Sequence, residues 1–395
     1  MDADTCNRRI AKGVYMLSDI LHSIQAHRDH EPTVISLGQI WVDVMIKVPQ
    51  FPVPGSFISA ESYSRSVNGS FAVLEAASRM GAHTELASVL GTGPWSDMIR
   101  TALAHANIRH TGLTNKTVDN GSRLVINDGE QRSFISAPGA EVHTDEKTFE
   151  HVHPKTGDVV HINGASLMNN GATAVAEFIS RPECAVAMRD FQIVFNPTSM
   201  VSTVNERLFE DLVLLHPIWS LNRQQGRAIA DRLGIELDES ASMRVDGGFD
   251  ESMSNLCDSL AEVLRAPVVL RAGSRGAWLR EHGKQTEHID GFETKATHIR
   301  SAGPTHTGAL CALLANGWNL ESAVQIANAA ASLAISKNIN GVPQCPTFDE
   351  AAELVKKALA ELNAEENNLN NYYSFSSPAP RRSALHSHSI VSSPE

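Results

Sequence analysis

The chain has 395 residues, 42% hydrophobic and 20% charged. That is enough apolar mass for one large α/β core or two modest domains, and it excludes a wholly disordered, collagenous or small disulfide-stapled chain. With 33 basic against 45 acidic side chains the formal charge is −12, so no global electrostatic pull draws the protein to nucleic acid or an anionic membrane. Neither is expected as a partner.

Five cysteines, Cys6, Cys184, Cys257, Cys311 and Cys345, lie far apart with no CxxC pair. An odd, scattered set argues against a disulfide or zinc framework and for a reducing compartment. No run of about 18 apolar residues is present, so no transmembrane helix is expected. The opening Met1-Asp2-Ala3-Asp4 is acidic and lacks an apolar segment behind it, unlike a secretory signal. A cytoplasmic protein is the expectation.

In chain order, residues 1–32 read as a helical extension. Val14, Leu17, Ile20, Leu21 and Ile24 recur at helical spacing before the stretch from His27 to Pro32 breaks the pattern. Val34 to Gly38 is a short buried strand and a tight turn. Residues 40–67 and 122–137 alternate polar and apolar side chains, as in Ser122-Arg-Leu-Val-Ile-Asn127, and predict a small antiparallel β flap, or lid. Helices are expected over 72–80 and 96–106, with a strand over 85–90 between them. Val159–Ile162, Gln192–Phe195 and Pro267–Arg271 are short apolar strands. Helices over 306–316, 320–336 and 348–363 complete the domain. Repeated strand–helix units predict a mainly parallel sheet covered on both faces. Residues 364–395, rich in Asn, Ser and Pro, read as a disordered tail.

Several motifs stand in a fixed order between Thr33 and Leu362. The first are Gly38-Gln-Ile-Trp-Val-Asp43, Pro49-Gln-Phe-Pro52 with Pro54-Gly55, and Asn68-Gly69-Ser-Phe-Ala-Val73 followed by Ala76 to Ala82. Asn196-Pro197, Arg271-Ala-Gly-Ser-Arg-Gly-Ala-Trp278, Ser301-Ala-Gly-Pro-Thr-His-Thr-Gly-Ala-Leu310 and Ala327-Asn-Ala-Ala-Ala331 follow. Singly these are ordinary turns and helix starts. Together the chain resembles the ribokinase-like, or PfkB, family of carbohydrate kinases over more than four-fifths of its length.

The resemblance implies a ribokinase-like α/β fold over 33–363 with a β lid, and transfer of the γ-phosphate of ATP, with Mg²⁺, to a sugar hydroxyl. It also implies a possible homodimer through the lid. Asp43, Asn68 and Gly69 are the implied sugar-binding residues. A carboxylate accepts two sugar hydroxyls, and glycine permits close backbone approach. Asn222, Gly273, Ser274, Gly276, Ser301, Ala302, Gly303 and Asn328 are the implied nucleotide and anion-hole residues. Small residues at a helix start let backbone N–H groups and the helix dipole meet phosphate. No Walker A pattern is present.

The departures from the family pattern cluster at the chemistry. Pro304 stands where the family has the aspartate that takes the hydroxyl proton. Proline can neither accept that proton nor donate a backbone N–H. Its fixed φ suits the first position of a helix, so the fold tolerates what the chemistry does not. Thr297-His-Ile-Arg300 replaces an aspartate followed by threonine. Gln225 replaces the glutamate of Asn-x-x-Glu that helps hold the Mg²⁺ water shell. Gly91-Thr-Gly-Pro94 replaces a Gly-Asp step, and Val73 an asparagine. His298 and His306 are the nearest substitute bases, followed by Asp290 and Glu293. His306 is expected to point away from residue 304 by the helical period. Two functions follow: a sugar kinase slowed at its base, or a pseudokinase that binds sugar or nucleotide without turnover.

Overall fold

The computed structural model describes residues 30–237, 248–296, 301–339 and 342–361. Most of the expected extension (1–32), the expected tail (364–395) and Thr297–Arg300, including His298, lie outside them. The chain divides into two compact units, Met1–Ala352 and Glu353–Glu395. The described part of the second, 353–361, is helical.

The first unit is built on a nine-stranded sheet. Its strands are β1 (Thr33–Ser36), β4 (His83–Leu86), β5 (Ile108–His110), β8 (Val159–Asn163), β9 (Gln192–Asn196), β10 (Ile218–Asn222), β11 (Val268–Arg271), β12 (Ala277–Arg280) and β13 (Glu287–Ile289), in the order β13-β12-β11-β10-β9-β8-β1-β4-β5. From β5 to β11 every neighbouring pair is parallel, while β12 and β13 add an antiparallel edge. The central strands are apolar on both faces because both faces are covered: Val34, Val159, Val160, Val194, Phe195, Val268, Val269 and Leu270 are all buried. Burying each such side chain stabilises the fold by about 1.5–3 kcal/mol. Trp219 of β10 is fully buried and meets Phe195 edge-on at 5.0 Å.

The helices are α1 (Ser70–Arg79), α2 (Pro94–His105), α3 (Gly171–Ile179), α4 (Glu206–Leu214), α5 (Arg223–Arg232), α6 (Gly248–Leu264), α7 (Ala302–Ala315) and α8 (Leu320–Ser336). Three of them, α1, α2 and α7, begin two to four residues earlier than hydrophobic periodicity predicts. Their first turns, such as Ala302-Gly-Pro304, carry no amphipathic signal. The strand expected over 85–90 ends at Leu86. Leu90 makes only an isolated bridge to Thr114 yet is fully buried, because an apolar run reports burial and not pairing.

The lid is a second sheet, ordered β3 (Ser62–Gly69), β2 (Ile40–Lys47), β6 (Ser122–Asn127), β7 (Arg132–Ala137). It is mixed, not wholly antiparallel as expected: β2 pairs β3 antiparallel but β6 parallel. Alternation fixes which side chains share a face and is silent about strand direction. Among the described residues no helix is long and apolar enough to cross a membrane. The four described cysteines are free.

Candidate functional site

The lid end is organised around Asp43, whose side chain is nearly inaccessible although it stands on a short sheet. Register explains why. Asp43 lies directly beside Arg123 on β6, and Trp41 lies opposite Asn68 on β3. Its Oδ1 accepts from Trp41 Nε1 at 2.9 Å and Arg123 Nε at 2.9 Å. Its Oδ2 accepts from Asn68 Nδ2 at 2.7 Å and Arg123 Nη2 at 2.8 Å. A carboxylate offers about four lone-pair sites, and all four are taken. The Arg123 guanidinium, about one-third exposed, also lies 5.2 Å from the Trp41 ring and 5.5 Å from the Phe134 ring. Asn68 and Asp43 are therefore brought together as expected, but the carboxylate's oxygens face protein donors. Trp41 and Arg123 were not singled out in the sequence; their alternation on predicted lid strands was the available signal.

Gly69 ends β3 with φ 77. A Cβ there would sit 2.4 Å from the Gln39 carbonyl oxygen and 2.8 Å from the Trp41 ring, so only glycine fits this turn. The turn feeds α1, which packs on α7 through Gly308. A Cβ at 308 would fall 2.2 Å from the Val73 carbonyl oxygen. Val73 is a buried packing residue, consistent with an apolar replacement of the family's asparagine.

The second end lies where α7 begins. Ser301 precedes it without a side-chain cap, and no acidic residue stands in the first turn. The N–H groups of Ala302 and Gly303 fall among the donors that an α-helix leaves unsatisfied. Pro304 is the third residue of the helix, not the first as expected, and removes the next donor in that row.

Beneath this turn lies Arg271, the last residue of β11. Its Nε donates to Leu221 O at 3.1 Å, its Nη1 to Gly303 O at 3.0 Å and its Nη2 to Ser220 O at 3.3 Å. Burial lowers its pKa to about 10, so the side chain stays cationic at neutral pH. Among the described residues no carboxylate pairs with it. A buried charge without a counterion is costly, and a phosphate at the start of α7 would offset it. A lone arginine ending an apolar strand was the signal in the sequence, where it read only as the edge of a loop.

His306 and Asn328 are brought together. His306 Nε2 bonds Asn328 Oδ1 at 3.1 Å, while Asn328 Nδ2 donates to the carbonyls of Ile289 and Asp290 at 3.1 Å each. The amide orientation makes Nε2 the donor and leaves Nδ1 without a partner. Burial, then the nearby Arg271 charge, lowers the His306 pKa to about 3. This imidazole is neutral, enclosed and a poor proton acceptor. Asn328 is a buried tie between α8 and the β13 edge, with both ends of its amide engaged.

Asn222 and Gln225 form a capping box on α5. Gln225 N donates to Asn222 Oδ1 at 2.8 Å, and Asn222 N donates to Gln225 Oε1 at 2.9 Å. The expected metal position thus carries no charge, and its amide oxygen already serves the helix cap. Asp290 is highly exposed and stands 3.6 Å from His288. Among the described residues no group of three or more His, Cys, Asp or Glu side chains is placed to hold a metal ion. The residues present fit a phosphate at α7 but not a tightly held Mg²⁺. Gly273 and Ser274 are exposed in a turn after β11 that closes on the buried Gly276. Gly276 has φ 84, and a Cβ there would lie 2.0 Å from Ile289 O. Beside it Phe249 lies between Arg223 and Arg275, at 5.1 and 4.7 Å.

Comparison with known proteins agrees with this fold. The model for the pfkB family of carbohydrate kinases matches residues 32–343. An uncharacterized sugar kinase, YegV, from Escherichia coli K12 is 25% identical over 84% of this chain and 96% of its own. A ribokinase from Haemophilus influenzae is 22% identical over 82% and 99%. The crystal structure of a ribokinase from Cryptococcus neoformans in complex with ADP superposes with a TM-score of 0.66 at 15% identity, over 82% of this chain and 99% of that one. The chain belongs to the pfkB family of carbohydrate kinases.

Proposed function

We propose that the protein binds a carbohydrate under the lid and a nucleotide phosphate at the start of α7, and that it transfers phosphoryl groups slowly or not at all. The observation that carries this reading is a helix start at Ala302–Gly303 beside the buried Arg271, followed by proline at position 304. The Ala302 and Gly303 N–H groups would meet the phosphate, and the Arg271 cation, bonded to Gly303 O, would favour its charge from beneath. At position 304 there is a proline ring.

The chemistry explains the weight given to position 304. As a sugar hydroxyl oxygen bonds to phosphorus and the bond to the leaving diphosphate breaks, the hydroxyl proton needs an acceptor. General-base catalysis contributes about 10²–10⁴-fold. His306 does not replace it, because its Nε2 is committed and its pKa is about 3. ATP supplies the transferable phosphoryl group when bound, as the ADP of the Cryptococcus ribokinase suggests by analogy. The roles of Ser301, Ala302, Gly303 and Arg271 here are to hold and neutralise that phosphate chain. Asn68 and Gly69 would face the sugar. Asp43 would contribute by holding Arg123 and Trp41 in place. The missing carboxylate at Gln225 predicts little dependence of nucleotide affinity on Mg²⁺.

Isothermal titration with ATP, with and without Mg²⁺, beside ATP consumption across a sugar panel, tests the reading. Nucleotide or sugar binding with little turnover supports it. Rapid turnover on one sugar would establish a working kinase instead and sink the proposal, as would absence of binding of either ligand.

A further inference from the structure

Asn222 and Arg271 end β10 and β11 at the candidate phosphate site. At the other end of the sheet, ahead of the first residues of β9, β10 and β11, apolar side chains stand in solvent on three stretches. The first is Ala185-Val-Ala-Met188, four consecutive residues that are all exposed, Met188 at 71%. The second is the end of α4, where Leu214 is 69% exposed. The third is the end of α6, where Val263 is exposed. Two side chains tie these stretches together. Arg189 Nη1 donates to Cys184 O at 3.4 Å and Leu215 O at 2.9 Å, and its Nη2 to His216 O at 3.4 Å. His216 Nδ1 bonds in turn to the carbonyls of Leu264 at 3.1 Å and Arg265 at 3.0 Å. A run of exposed apolar residues is unfavourable on a free surface and marks a place that something covers.

The chain enters the fold beside this surface. His30 Nε2 donates to Asp158 Oδ1 at 2.8 Å. Asp158 O accepts from Gln192 N, the start of β9, at 2.9 Å, and Gly157 N donates to Asp190 O at 3.0 Å. Thr156 Oγ1 also bonds the Asp190 carboxylate. Asp190 is two residues beyond Met188. The segment ahead of His30 lies outside the described residues. Its sequence sets Val14, Leu17, Leu21 and Ile24 at helical spacing, a stripe that would need an apolar surface to pack on. A helix of that length is marginal in water without such packing. The lengths agree. The chain from Ile24 to His30 can span up to about 20 Å. In the sheet order, β9 stands two strands from β1, about 10 Å away. A helix over 14–24 is about 16 Å long, enough to cross the starts of β9, β10 and β11.

We propose that residues 14–24 form an amphipathic helix that docks on this surface, with its apolar stripe over Val186, Met188 and Leu214. The occupant is the chain's own N-terminal segment, because the stripe lies within reach of the surface from the His30 anchor. The surface is separate from the sugar and nucleotide ends, so the docking stands whether or not either ligand binds.

Hydrogen–deuterium exchange of the full chain, at two protein concentrations tenfold apart, tests the docking. The amides of 14–24 are expected to exchange at least about tenfold more slowly than in a free peptide, equally at both concentrations. Met188→Asp with Leu214→Asp, on the surface, and Leu17→Asp with Leu21→Asp, on the segment, should each abolish that protection. Unchanged protection of the β9 and β10 amides shows that both variants fold. Exchange of 14–24 at the free-peptide rate in the parent would overturn the docking. Protection that survives in the surface variant would place the segment elsewhere and overturn it as well. Protection lost on dilution would give the surface to a second copy and overturn the choice of occupant.

Discussion

At the scale of single residues the protein is defined by one substitution and one buried cation. Pro304 offers neither a carboxylate nor a backbone N–H, so Pro304→Asp introduces both. An acidic residue in the first turn also complements the helix dipole, and the variant is expected to melt no lower than the parent. Its ATP consumption with the best sugar should rise about 10²-fold or more; an unchanged rate would show that the base is not what limits transfer. Arg271→Met is expected to abolish measurable ATP binding by calorimetry, because it removes the charge behind the Ala302–Gly303 turn. Retained affinity would mean that the backbone N–H groups suffice alone. Asp43→Ala leaves Arg123, Trp41 and Asn68 without their acceptor. Losing contacts to a charged group costs about 1.5–3 kcal/mol, visible as a lower denaturant midpoint together with weaker sugar binding. A midpoint equal to the parent's would contradict the clamp.

At the scale of elements, α2 shows how a helix start without a capping side chain of its own is held. Gly93 precedes the helix with no capping side chain of its own. Asp119, far along the chain, caps it instead, accepting from Trp95 N at 3.0 Å and from Ser96 N at 2.8 Å. Burial raises the Asp119 pKa, but the bonds from the Ser96 hydroxyl and the Trp95, Ser96 and Asn120 N–H groups outweigh it and hold the carboxyl below its usual range. A depressed carboxyl pKa contributes stability that is complete above the unfolded value and is lost as pH falls through the folded one. Asp119→Ala should cost about 1 kcal/mol at pH 7. The difference from the parent should shrink once the pH falls below the ordinary carboxylate range. Urea denaturation at pH 7 and in acid checks both the size and the sign.

At the scale of the whole molecule, the lid leaves apolar side chains in solvent. Phe134 and Ile135 are each 58% exposed and Tyr63 55%. Phe134 and Ile135 are neighbours on the edge strand β7, and Tyr63 lies on the other edge strand, β3. Exposed apolar side chains are candidates for an interaction surface, and a second copy meeting lid to lid is the partner tested. Sedimentation of the parent should give a dimer, and Phe134→Ser with Ile135→Ser should shift it to monomer. A monomeric parent would remove this reading.

The alternation in β2 and β6 and the apolar runs of β1, β8, β9 and β11 were legible in the sequence, because burial on one or both faces writes itself into hydrophobic order. So was the family, from motifs that keep their order along the chain. The first turn of α7 was not legible as helix, since Ala302-Gly-Pro304 has no apolar face, and β10 gave no distinct signal beside its neighbours. The identity of residue 304 raised by itself the expectation of a missing base. Only the tertiary structure decided what surrounds that position. It closed Asp43 with four donors from three strands, enclosed His306 against Asn328, and set Arg271 under Gly303 from another strand. Each of these joins residues distant in sequence, and a linear pattern records the burial of a side chain but not the partner it is buried against.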